Sequence, residues 1–97
     1  NNFGQQEPGT DVDIRKFCTD RYNVTFPLFA KVSVKGKDIA PLYAFLTSAE
    51  TNPKFAGEIP WNFTKFLVGK DGKVIGRFGP KTKPEDRELV EAVEKAL

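Results

Sequence analysis

The sequence contains no histidine. That removes the commonest general base and the commonest transition-metal ligand. Serine–histidine hydrolysis, cysteine–histidine proteolysis and the usual zinc sites are therefore excluded within this chain. One cysteine, Cys18, cannot form an internal disulfide framework. Its plain reading is a small buried hydrophobe; its sharper reading is a redox thiol whose partner lies outside these residues. Charge of either sign is not in excess: 15 basic and 13 acidic residues, spread along the chain, give net +2. With no basic stripe and no acidic tail, neither nucleic acid nor a charged membrane surface is suggested as a partner. No apolar run approaches membrane-spanning length, and no signal-peptide pattern opens the chain. Internal repeats and low-complexity tracts are absent. So is methionine, and the first residues, Asn1-Asn2-Phe3-Gly4, are loop-like. The expectation is the tail of something longer.

What is present suits one small domain. Ninety-seven residues can bury only a limited core, and nine Phe, two Tyr and one Trp are a rich aromatic supply for it. Gly4, Pro8 and Gly9 punctuate a turn-rich start. Thr10 is placed as an N-cap, with Asp13 three residues on and Asp11 in the first turn, where negative charge suits the helix dipole. Ile14, Phe17 and Cys18 follow at helical spacing. Residues 11–20 therefore read as a short amphipathic helix with Cys18 at the edge of its apolar face. An extended strand is expected from Leu28 to Val34, then a turn over Lys35-Gly36-Lys37-Asp38. Pro41 opens a second short helix ending near Ser48, and residues 49–60 form a loop.

Phe66-Leu67-Val68 and Val74-Ile75-Gly76-Arg77-Phe78 flank Lys70-Asp71-Gly72-Lys73. Asp-Gly between apolar runs signals a β-hairpin with a primed turn, whose positive φ glycine supplies. Gly79-Pro80 breaks the chain, and Pro84 is placed near the start of a final helix. Leu89, Val90, Val93 and Leu97 line that helix's apolar stripe, which is scaffold. The order helix, strand, short helix, hairpin, helix is α/β. Its last three elements resemble the C-terminal half of a thioredoxin-like domain. The N-terminal strand–helix–strand of such a domain is missing, which would leave a sheet edge and part of the core uncovered.

Trp61 and Asn62 stand where a loop meets the hairpin's first strand, and both side chains can donate hydrogen bonds. Taken alone, the Trp reads as core and the Asn as a turn former. Their company changes that reading. Asn2-Phe3-Gly4-Gln5-Gln6-Glu7-Pro8-Gly9 resembles the Asn-Gln-Phe-Gly-x-Gln-Glu-Pro-Gly signature of the glutathione peroxidase family. Trp61-Asn62-Phe63-Thr64-Lys65-Phe66-Leu67 resembles that family's Trp-Asn-Phe-x-Lys-Phe-Leu motif. Asn23-Val24-Thr25-Phe26-Pro27 and Pro41-Leu42-Tyr43 fall in the family's order between them. The resemblance covers essentially all of residues 1–97, as the C-terminal part of a single domain. Asn2 departs from the signature's first Gln, and Pro60 stands before Trp61 where a polar residue is common.

The resemblance implies thiol-dependent reduction of hydrogen peroxide and organic hydroperoxides. The family's nucleophile, a cysteine or selenocysteine, would lie upstream, held by Gln6, Trp61 and Asn62. Each of the three offers N–H donors, and none takes a proton. Donors converging on sulfur favour the thiolate and can also stabilise charge on the leaving oxygen. A chain without that sulfur should not turn over peroxide unaided, so the rest of the domain is required.

Cys18, in its Phe17-Cys18 context, resembles the resolving cysteine of the family's thioredoxin-dependent, bacterial and plant-like branch. It would condense with an upstream sulfenic acid to a disulfide that thioredoxin reduces. A disulfide requires Cα atoms within about 7 Å, so residues 11–22 are expected to be locally labile. The resemblance implies no cofactor and no metal, only a thiol reductant, thioredoxin ahead of glutathione. The short loop from Ala49 to Pro60 resembles monomeric members, so a monomer or weak dimer is expected. The compartment expected is the cytoplasm, with the periplasm and organelles left open. The alternatives are a glutathione-using peroxidase with an inert Cys18, and a non-catalytic thioredoxin-like binding or redox-sensor module.

Overall fold

Thr10 begins the first element as its sequence requires. In the computed structural model, which describes residues 1–97, the Thr10 hydroxyl accepts from the Asp13 N–H at 3.2 Å. The Asp13 carboxylate in turn accepts from the Thr10 N–H at 3.2 Å. This reciprocal capping box satisfies two amides that the first helical turn would otherwise orphan. Helix α1 then runs Asp11–Tyr22. It stops at Asn23, which takes the left-handed conformation (φ 51°). There the Asn23 N–H donates to the Thr19 carbonyl and the Val24 N–H to the Cys18 carbonyl, and the first of these bonds is the closure of an αL cap. The expected apolar face is weak: Ile14 and Cys18 are only partly covered, Phe17 is exposed, and no residue of α1 is buried.

The strand expected from Leu28 to Val34 does not form. Two of its backbone N–H groups are taken by side chains instead of a neighbouring strand. Lys31 N–H donates to the Asp11 carboxylate at 3.0 Å, and Val34 N–H donates to Asn2 Oδ1 at 2.8 Å. The Asn2 amide also donates to the Ser33 hydroxyl at 3.2 Å. Lys31 reaches back as well, its ammonium donating to the Glu7 and Gly9 carbonyls. The segment is therefore an extended strap tied to the N-terminal turn and to the first turn of α1. Its aromatic residue Phe29 is 92% exposed.

Helix α2, Pro41–Thr47, opens on Pro41 as expected, where a missing N–H costs nothing. It buries Leu46. Strands β1 (Lys65–Val68) and β2 (Val74–Phe78) form the antiparallel hairpin, with Lys65 opposite Phe78 and Leu67 opposite Gly76. The turn differs from the primed two-residue form. Gly69 N–H donates to the Lys73 carbonyl and Gly72 N–H to the Gly69 carbonyl, so Lys70, Asp71 and Gly72 make a three-residue loop. Only Gly72 of those three has positive φ (82°), and the register is irregular at Leu67/Val68. This is the longer hairpin connection that Gly in third position favours.

Helix α3, Arg87–Ala96, starts three residues after Pro84. The Asp86 carboxylate accepts from the Lys83 N–H, and Asp86 N–H donates to the Lys83 carbonyl. These bonds close a separate turn around Pro84, and the helix begins only beyond it. Phe3, Leu46, Ile59, Val74 and Phe78 make up the buried apolar core. Tyr22, Phe26, Leu42 and Leu97 all stay exposed, and the two-stranded sheet has both edges open. The architecture is thus α/β with a small core and much apolar surface outside it.

Candidate functional site around Gln6, Trp61 and Asn62

Two tight turns, far apart in sequence, meet at the candidate site. In the first, Gly4 (φ 70°) and Gln5 (φ 51°) both take left-handed conformations, and Gln6 follows directly. In the second, Trp61 and Asn62 precede Phe63, which also has positive φ (64°). For a bulky side chain that conformation is costly, and the surroundings must hold it. The Thr64 hydroxyl donates to the Trp61 carbonyl at 2.9 Å, and the Lys65 ammonium donates to the Phe63 carbonyl at 2.7 Å. These bonds close the turn, and Phe63 itself is left 82% exposed.

Asn62 Nδ2 donates to Gln6 Oε1 at 3.2 Å, joining residues 56 apart in sequence. That bond orients both amides. It occupies the Gln6 acceptor and one Asn62 hydrogen, which leaves Gln6 Nε2, the second Asn62 N–H and the Trp61 indole N–H to donate elsewhere. Trp61 packs on Phe3 with ring centroids 5.6 Å apart, and Phe3 is buried in the core. The Lys35 ammonium lies 5.2 Å from the centroid of the Phe3 ring. Trp61 keeps 46% of its surface exposed, so its ring is anchored while its edge stays accessible. A hollow of about 200 Å³ adjoins the pair, lined by Phe3, Val34, Tyr43, Ile59, Trp61 and Asn62 among others.

Gly4 lies beside both Gln6 and Trp61. A Cβ on it would lie 3.3 Å from Gln6 Nε2 and 3.4 Å from Trp61 Cη2. Gly4→Ala therefore combines a strained backbone with crowding of two donors at once. The expected cost is about 1 kcal/mol of stability or somewhat more, read as a lowered denaturation midpoint.

Cys18 stands apart from these three residues. It sits in α1, partly exposed and with a free thiol, and lines neither this hollow nor the larger one beside Leu28 and Lys31. The structure thus brings Gln6, Trp61 and Asn62 together and leaves Cys18 on a separate element. Sequence reasoning passed over Gly4, Arg77 and Asn52. Asn52 is buried, donating to the Phe45 carbonyl at 2.7 Å, and so fixes the loop that leads to Trp61. No local motif marks its role, because its acceptor belongs to α2.

Residues 1–47 match the family model described as glutathione peroxidase. The chain is 50% identical, over its whole length, to the hydroperoxy fatty acid reductase gpx1 of Synechocystis, of which it covers 59%. It is 40% identical, again over its whole length, to the thioredoxin/glutathione peroxidase BtuE of Escherichia coli, of which it covers 63%. Among solved structures it is similar to Trgpx in its apo form, with a TM-score of 0.55 and 31% identity. That similarity covers 84% of this chain and 67% of the other. The chain spans about three-fifths of the length of the curated relatives it matches. Its α/β arrangement is that of the thioredoxin-like fold.

Proposed function

Since the chain belongs to the glutathione peroxidase family, we propose that residues 1–97 are the C-terminal part of a single thiol-peroxidase domain. In this reading Gln6, Trp61 and Asn62 hold the nucleophile, and Cys18 resolves it. The observation that carries it is the Asn62–Gln6 hydrogen bond beside Trp61, which gathers three neutral donor side chains at one place. The nucleophilic cysteine or selenocysteine belongs to a segment upstream. The unpaired sheet edges and the uncovered apolar side chains support a requirement for that segment in folding.

The reaction then runs in three steps. The thiolate attacks the outer peroxide oxygen, the O–O bond breaks, and the departing alkoxide takes a proton to leave as alcohol, or as water from hydrogen peroxide. The N–H donors stabilise the thiolate beforehand and the developing oxyanion during attack. The Cys18 thiol condenses with the resulting sulfenic acid, forming a disulfide and releasing water. Two electrons and two protons from a dithiol such as thioredoxin then restore both thiols. No bound cofactor is needed, because the electrons arrive by thiol–disulfide exchange.

Cys18 must leave its place in α1 to reach a sulfur beside Gln6. The helix suits this, having no buried residue and only one exposed i, i+4 ion pair, Lys16–Asp20. Amide exchange in residues 11–22 of the full-length protein should accelerate on oxidation and slow again on reduction. Protection unchanged by oxidation would contradict the unwinding step. The overall reading is tested by supplying the full-length protein with hydrogen peroxide or a fatty acid hydroperoxide and reduced thioredoxin. Peroxide-dependent consumption of the dithiol is expected, and none from residues 1–97 alone. A full-length protein carrying an upstream Cys or selenocysteine that consumed neither thioredoxin nor glutathione would be a binding module instead.

A further inference from the structure

We infer that Arg77 is a positioning residue for Trp61 and Asn62, acting through the loop that carries them; this rests on the peroxidase reading above. Arg77 lies on β2, whose neighbours Gly76 and Phe78 are buried while Arg77 itself is only partly covered. An arginine at such a position would ordinarily extend into solvent. Here its guanidinium turns across the hairpin. Nη1 donates to the Phe55 carbonyl at 2.9 Å and to the Gly57 carbonyl at 2.9 Å. Nη2 donates to the Glu58 carbonyl at 2.8 Å. The same guanidinium sits 5.1 Å from the centroid of the Phe66 ring, which fixes the plane of the fork.

Those carbonyls belong to the last stretch of loop before Trp61. Ile59 follows them into the core, Pro60 stiffens the next step, and Trp61 emerges. The loop's other fastenings come from the opposite side. The buried Asn52 donates to the Phe45 carbonyl, and Gly57 N–H donates to the Thr47 carbonyl at 2.9 Å. Residues 55–58 are therefore clamped between the end of α2 and the hairpin. On the hairpin side, Arg77 supplies the side-chain hydrogen bonds to residues 55–58. Three carbonyls converging on one planar fork suit arginine and not lysine, whose single ammonium cannot span them. A donor misplaced by about 1 Å can cost on the order of 100-fold in rate, so fixing this loop bears on reactivity.

The test uses the ¹⁵N-labelled full-length protein, with the Trp61 indole N–H resonance identified by its loss in Trp61→Phe. Arg77→Ala and Arg77→Lys are compared with wild type by that resonance and by the rates of the two half-reactions. In Arg77→Ala the indole resonance should shift or broaden, and the second-order rate with hydrogen peroxide should fall roughly 10- to 100-fold. The rate of disulfide reduction by thioredoxin should stay within about twofold, because it does not use these donors. Arg77→Lys should fold and recover only part of the peroxide rate. If Arg77→Ala fails to fold, Arg77→Lys carries the same comparison. An unmoved indole resonance, or equal losses in both half-reactions, would overturn the inference. A wild type without peroxide turnover whose indole still moves in the variants would instead sink the peroxidase reading and leave the clamp standing.

Discussion

Cys18→Ser in the full-length protein should consume one equivalent of peroxide at the wild-type rate and then stop when thioredoxin is the reductant. In the proposed cycle the first step, attack on the O–O bond, uses the upstream sulfur and the donors around it, none of which this substitution touches. The second step needs a thiol to condense with the sulfenic acid, and serine offers none. The sulfenic acid should then persist and be trapped by a sulfenic-acid-specific probe, where the wild type gives a disulfide. Glutathione supplies its own thiol, so turnover with glutathione at high concentration should survive the change. Unaltered turnover with thioredoxin would make Cys18 an inert thiol. Stability should change little, because the Cys18 side chain is only partly covered and α1 buries nothing.

Asn62→Ala should slow the peroxide step about 100-fold, or about 2.7 kcal/mol of barrier, the usual scale for losing one preorganised donor. It removes the Nδ2 hydrogens and also frees Gln6, whose Oε1 loses its 3.2 Å partner. Trp61→Phe separates donation from packing: the ring can still stack on Phe3, while the indole N–H is gone. A comparable loss of rate with little change in melting temperature is expected. In the proposed cycle the two donors serve the same sulfur and oxygen, so the double variant should lose less than the product of the single losses. Stopped-flow consumption of hydrogen peroxide by the reduced protein measures each value. Rates within a few-fold of wild type in both variants would assign the pair to scaffold.

Much of the fold was legible where the deciding interactions are local. Thr10 and Asp13 cap one another three residues apart, and Pro41 preorganises the turn it opens. Both could be read from spacing alone. Asp71-Gly72 between two apolar runs located the hairpin, though not its loop type, which depends on the Gly69–Lys73 pairing. Leu28 to Val34 misled because β-propensity measures fit to a sheet, and pairing depends on what lies alongside. Here Asp11 and Asn2 take two of the amides that a ladder would have used. Pro84 suited a helix start, but Lys83 and Asp86 spend their hydrogen bonds on a turn first.

At the candidate site, Gln6, Trp61 and Asn62 were legible as motif residues, but their contact across 56 positions was not. Arg77 was the least visible. Its acceptors lie 19 to 22 residues away in a loop with no motif of its own, and in the strand pattern it reads as a solvent-facing charge.

The most direct measurement is a thiol map of the full-length protein after one equivalent of peroxide. The sample is quenched by alkylation and its peptides are analysed without reduction. The expected result is Cys18 joined to an upstream cysteine or selenocysteine, with the link absent before peroxide and after thioredoxin. Cys18 found fully alkylated while the upstream residue is oxidised would contradict the resolving role.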